Sequence, residues 1–476
     1  MRFSALILAL IAPLSLAACD EADEDARDVV IVGNPQTAYA QDLGDSPAAR
    51  LIRGATAPAL VQLDAEARIA PGLAESWIAT DDGMSYIFRL AGPAPGETAV
   101  TATEVREALV DRIAEMRDTP MGADLALIDA IIARTGRVLE IQIARPLPDF
   151  LQLLAQPELA LPSLDEASAS TRLDRDNRAL VASGEDRKGR LKFVIAPPRE
   201  AVELFQDGRA EILLGGGLEA LPYAELGGLM RGSIRLDPVS GLFGLVVNGD
   251  EGFLAEAANR EAVAMAIDRD ALMTPFGIGG WIPARSLLPP TMSRLAGQGP
   301  AWQTAELEAR VATASARVAA WKAPGREAPR LTVSLPEGKG GDLLFEQLRS
   351  NLAKTGIGLL RVGPRDRADL AMIDAVATYS HPLWYFHRLT CRAQPRGCDT
   401  EADAALTAAQ ALAPGQDRDN AFGATEAAFV RSARYIPFGP PIRFSLVRGG
   451  IDGFAVNSLG YHPLAPLTLS PGSSFD

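Results

Sequence analysis

Cysteine and histidine are almost missing from this chain, with three of each in 476 residues. So few cysteines exclude a disulfide-stapled scaffold. The histidines favour structural roles over a metal site: His381 and His387 are six apart, off the spacing of one helical face, and His462 lies far away in sequence. Basic residues are also short, 46 against 60 acidic ones, for a net charge of −14. That balance argues against nucleic acid, whose affinity comes mainly from Lys and Arg on phosphate. After residue 16 no apolar run is long enough to span a membrane. Catalytic signatures are missing as well: no Gly-x-Ser-x-Gly elbow, no His-Glu-x-x-His, no phosphate loop and no complete Gly-x-Gly-x-x-Gly. Gly215-Gly216-Gly217 follows a predicted strand, but no Lys-Ser/Thr comes after it. No enzymatic activity, cofactor or bound metal is expected.

The N-terminus carries a signal. Arg2 supplies one positive charge, and Ala5 to Leu16 is apolar except at Pro13 and Ser15. Leu16-Ala17-Ala18-Cys19 then closes it. A basic start, a short apolar run and small residues describe a secretory signal, too short for a spanning helix. The stretch resembles a bacterial lipobox, with residues 1–18 as signal peptide and Cys19 as the lipid anchor. Asp20 resembles the inner-membrane retention signal of Gram-negative bacteria. Residues 19–28 are acidic and without apolar anchors, so they read as a solvated tether. If Cys19 is lipidated, Cys391 and Cys398 remain as an even pair around a polar loop. In an oxidising compartment that pair favours a disulfide.

The length exceeds a single hydrophobic core and predicts two or three lobes. Patterning is mixed α/β. Tyr86, Phe88 and Leu90 alternate on one face of a strand, and Thr101 with Glu104 forms a capping box for a helix carrying Val105, Leu109, Ile113 and Met116. Strand–helix–strand units recur over 191–214 and 330–362. In the second, Leu344, Leu348 and Leu352 stripe the helix and Gly356 sits at its C-cap. Gly297–Arg326 is Ala-rich with helical propensity. Such spacing implies partly parallel sheets covered by helices.

Several segments together resemble the periplasmic peptide/nickel-type solute-binding proteins of ABC importers (family 5). They are Pro71-Gly72-Leu73-Ala74-Glu75-Ser76-Trp77 with the strand after it, Val100–Val105, Asn259–Asp270, Leu287–Pro290 and Gln347–Val362, in the family's order across residues 55 to 455. The resemblance implies an α/β, two-lobed periplasmic-binding-protein fold with an extra inserted domain (cluster C type). Lobe I would hold 29–55, 160–242 and 446–476, the inserted domain II 56–159, and lobe III 243–445. It further implies a monomer on the periplasmic side of the inner membrane, held there by its N-terminal lipid. That monomer would capture a peptide-like or other small solute between the lobes and deliver it to permease subunits. A non-transport receptor or scaffold on the same fold is the alternative, with a secreted hydrolase behind it.

Two departures matter. Ala91–Glu97 is shortened and has no Trp or Asp-Gly, and where many peptide-binding members carry Asp-Pro for the peptide's amino group this chain has His381-Pro382. Asp374 lies close enough in sequence to substitute. With only 16 Phe, 7 Tyr and 5 Trp in the chain, the cluster Tyr379–His387 stands out. Aromatic platforms with a few polar groups line solute clefts, so His381, Trp384 and Tyr385 are candidate contacts, with packing as the alternative. Trp281 and Arg285, in a Gly-rich loop, offer a ring and a cation for a carboxylate. Tyr39 lies in the first crossover region, where family members contact ligand.

Overall fold

A computed structural model describes residues 26–38, 46–93, 100–162, 164, 171–174, 179–182, 190–224, 232–292, 294–295, 299–323, 325–364 and 366–468. Cys19, the signal peptide and Tyr39 lie outside the described residues.

The first strand, Ala26–Val32, is apolar on both faces: Val29, Val30, Ile31 and Val32 are all at most 4% exposed. That pattern suits a central strand covered on both sides. It pairs in parallel with Arg190–Ala196 on one side and Ile212–Gly216 on the other, with the helix Pro198–Gln206 connecting those two partners. The whole sheet has seven strands, in the order Ile234–Leu236, Phe444–Val447, Ile212–Gly216, Ala26–Val32, Arg190–Ala196, Ala179–Ala182 and Thr171–Asp174.

A second sheet has five strands: Gly358–Val362, Arg330–Ser334, Leu370–Val376, Gly241–Val247 and Tyr435–Gly439. Arg330–Ser334 pairs in parallel with both its neighbours, and the helix Lys339–Ala353 makes the crossover. Leu344, Leu348 and Leu352 are buried on that helix, and Gly356 takes φ +84° just beyond it, a left-handed C-terminal turn. The Ala-rich segment forms the helix Leu307–Lys322.

Residues 61–143 build a separate antiparallel unit. Its four-stranded sheet runs Ala74–Ala79, Ser85–Leu90, Val138–Ile143 and Ile128–Thr135, beside the ribbon Val61–Leu63 and Ile69–Pro71. Tyr86, Phe88 and Leu90 point inward as the alternation requires. The helix Ala102–Glu115 opens with both halves of the Thr101/Glu104 capping box in place.

The first described strand starts at Ala26, and Arg27 on it is buried and donates to the carbonyls of Asp452 and Leu467. Gly241 already belongs to the second sheet, and Phe444 already belongs to the first. The chain therefore crosses between the large sheets at 237–240 and again at 440–443. Asp237 N–H donates to Arg443 C=O at 3.0 Å, which ties the two crossovers side by side. No described helix is long and apolar enough to cross a membrane.

Candidate functional site

The crossovers place one charged cluster at the seam between the large sheets. Arg443 lies on the second crossover, and its Nη1 is 2.8 Å from Oδ1 of Asp374 on strand Leu370–Val376. Both side chains are about one-fifth exposed. Glu219 reaches the same cluster from the loop after Ile212–Gly216. Burial pushes the Glu219 carboxyl above its usual range and the charge of Asp374 adds to this, while Arg443 opposes. Burial likewise raises Asp374 against the pull of Arg443. Of the two, Asp374 alone pairs with the guanidinium, and burial makes the ionised form of both carboxyl groups less favourable than in water.

The same loop touches the second sheet's crossover helix. Gly340, in its first turn, packs against the backbone of Leu218 and Glu219, so closely that a Cβ there would lie 2.0 Å from the Leu218 carbonyl oxygen. Lys339 N–H donates to the Tyr223 hydroxyl at 3.2 Å.

His381 is the N-cap of the helix Pro382–His387, its Nδ1 accepting from Leu383 N–H at 3.2 Å. Only the neutral imidazole can accept there. Burial first, then Arg418, His387 and Arg145, push its pKa down to about 4. A cap with its ring edge-on to Phe422 explains why a histidine can stand in this position. Because the folded pKa lies below the ordinary 6.5, neutral His381 contributes stability that is complete above pH 6.5 and lost as the pH falls toward about 4. His381→Asn keeps a capping acceptor that does not titrate. The urea midpoint of the variant should therefore fall less than that of the wild type between neutral pH and pH about 4.

Trp384, Tyr385 and Phe386 are at most 1% exposed. The Trp384 ring lies under the Arg388 guanidinium at 3.9 Å and edge-on to Tyr385, whose hydroxyl burial pushes up to about 12. Phe386 stacks on Phe429. The cluster that stood out in sequence is a core layer here, and neither Trp384 nor Tyr385 lines a described cavity. It holds a polar centre that sequence reasoning missed. Asp124, on the helix Pro120–Leu125, receives Tyr379 O–H at 2.8 Å, His387 Nδ1–H at 2.7 Å and Arg388 Nη1–H at 3.1 Å. Gln410 Nε2 donates to His387 Nε2 at 2.8 Å, which leaves the ring's proton on Nδ1.

Trp281 donates its indole N–H to Pro440 C=O at 3.0 Å and packs on Gly439 and Phe243. Arg285 lines a cavity of about 570 Å³ near the crossovers. Cys391 and Cys398 form a disulfide.

No protein-family model matches the sequence, and no curated protein matches it significantly. Solved structures do. OppA of Haemophilus influenzae in complex with RPPGFSPFR matches with a TM-score of 0.77 at 16% identity, over 94% of this chain and 99% of that one. The Escherichia coli murein tripeptide binding protein MppA gives 0.78 at 18%, over 94% and 99%. Against MppA in its unliganded open form the score drops to 0.62, at the same 18% identity and over 94% and 98%. NikA of Brucella suis in complex with Fe(III)-EDTA gives 0.71 at 16%, over 93% and 100%. The chain thus has the two-lobed α/β fold of the periplasmic oligopeptide-, dipeptide- and nickel-binding proteins.

Proposed function

We propose that this chain is the solute-binding component of an ABC importer. In this reading Cys19 carries the lipid that holds it on the periplasmic side of the inner membrane, the chain acts as a monomer, and permease subunits receive its cargo. Lobe I comprises 29–55, 160–242 and 446–476. The inserted domain is 56–159 and lobe III is 243–445. The observation that carries the proposal is the seam: paired crossovers joining two lobes, with Glu219, Asp374 and Arg443 gathered there. Crossovers of this kind act as hinges, and a solute held by both lobes favours the closed form by its better fit to it.

The cluster's chemistry suggests what is captured. An ammonium group brought to Glu219 and Asp374 would favour their ionised forms and oppose the effect of burial. A peptide-like solute with a free amine meets that requirement. Asp374 thereby serves the role left open by His381, which is committed to its helix cap. Of the sequence candidates, Tyr39, outside the described residues, remains a proposed contact. Trp384 and Tyr385 are buried and pack against Arg388 and each other.

The test begins with solute released from gently purified protein and identified by mass spectrometry. Calorimetry with that solute should show Asp374→Asn binding about tenfold or more weakly than wild type, the worth of one charge-assisted hydrogen bond. Full affinity in the folded variant would remove the seam as the binding site.

A further inference from the structure

The loop that offered Trp281 and Arg285 belongs to a second place with its own chemistry, and the argument for it does not depend on the proposed transport role. The cavity of about 570 Å³ is walled mainly by apolar side chains, among them Ile282, Leu287, Leu288, Pro290, Tyr435 and Pro440. Its lining runs from Ser240 to Pro440, so it belongs to the second sheet's lobe and the crossovers. The volume suits a small organic ligand.

Behind it lies a niche of about 30 Å³ that shares Arg285, Leu287, Tyr435 and Pro437 with the cavity and adds Arg269 and Trp302. Three donors of its lining residues are buried and find no acceptor among the described residues: Arg269 Nη2, Arg285 Nε and Trp302 Nε1. Arg269 is wholly buried. Its Nε and Nη1 are spent on the carbonyls of Pro437, Ala264 and Ile267. Burial, then the neighbouring Arg310 and Arg285, push its guanidinium down to about 9. The acids nearby do not neutralise the group. Glu261 in the niche is held by Arg317 at 2.7 Å, and Asp270 meets Arg285 at 3.2 Å but is two-thirds exposed. Such an exposed pair is weak. Orphaned N–H donors and clustered positive charge at the back of an apolar cavity call for one kind of guest.

We infer that this cavity binds a small amphipathic carboxylate, its anion between Arg269, Arg285 and the Trp302 indole N–H and its apolar body along Leu287, Leu288 and Pro290. The lobe would then carry a ligand site distinct from the Glu219, Asp374 and Arg443 cluster, against the two crossovers.

The test uses the full chain, with octanoate as probe and octanol as its uncharged counterpart, followed by tryptophan fluorescence and calorimetry. Octanoate should saturate the wild type, and Arg285→Gln should weaken it about tenfold or more while leaving octanol unchanged. Thr304→Trp, at an exposed position on the cavity wall, should block both probes. Asp374→Asn should leave octanoate binding intact. Equal binding of octanoate and octanol would overturn the inference, because ordered water would then suffice for the orphaned donors. Unchanged octanoate affinity in Arg285→Gln would overturn it too, as would loss of octanoate binding in Asp374→Asn or no saturable binding at all.

Discussion

Replacing Asp124 with alanine should lower the unfolding free energy by about 3–5 kcal/mol, the cost of stranding a buried charge. Its carboxylate is 1% exposed and receives Tyr379, His387 and Arg388. Arg388 is itself 8% exposed, and beyond Asp124 its Nη1 has the Trp384 carbonyl at 2.7 Å. Without the carboxylate that guanidinium stays charged in a dry place, and the Tyr379 hydroxyl and His387 Nδ1–H lose their acceptor. The centre also joins parts far apart in the chain. Asp124 lies in the antiparallel unit, and its partners lie beyond the second sheet's strand Leu370–Val376. Chemical denaturation of Asp124→Ala should therefore show an early transition as well as a lower midpoint. Asp124→Asn should cost less, since one oxygen still accepts. Asp124→Ala with Arg388→Met should recover part of the loss, because the stranded charge is gone. A drop below about 1 kcal/mol for Asp124→Ala would mean that the three donors are satisfied without it.

Local rules carried the sequence reading a long way. The Thr101/Glu104 capping box, the alternation of Tyr86, Phe88 and Leu90, and the Leu344–Leu348–Leu352 stripe each depend on neighbours within a few residues, and each stands in the structure. Pairing across the chain followed different rules. Asp124 and His387 are 263 residues apart, and nothing near either residue announces the other. The aromatic cluster shows the same limit from the opposite side. Rings that line a cleft and rings that fill a core have the same composition, and only burial separates them. Trp384, Tyr385 and Phe386 fell in the core because helix Pro382–His387 is wedged against Phe422 and Phe429 of the helix Gln416–Ser432. The seam cluster was partly legible, since Asp374 stood near the missing Asp-Pro pair. Arg443 and Glu219 join it only through the sheet order.

The second large effect is expected at Gly340. A methyl group there would lie 2.0 Å from the Leu218 carbonyl oxygen and 2.9 Å from the Glu219 Cα, and both are backbone atoms that no rotamer change can move aside. Within its own helix alanine is the better residue, by about 0.5–1 kcal/mol over glycine. Gly340→Ala should thus leave the helix and its sheet at least as stable as before. What it removes is the approach of the loop Gly217–Ala220, which belongs to the other large sheet. In the proposed closing cycle this contact belongs to the closed arrangement, so the population should shift toward open. On the proposed function, a solute held by both lobes would then bind more weakly in proportion to the closed fraction, about tenfold or more for a shift of about 1.4 kcal/mol. The variant should leave purification with little solute while the wild type retains it, and small-angle scattering should report a larger radius of gyration for the variant. A variant with wild-type scattering and full solute retention would mean that the contact at Leu218 plays no part in closure.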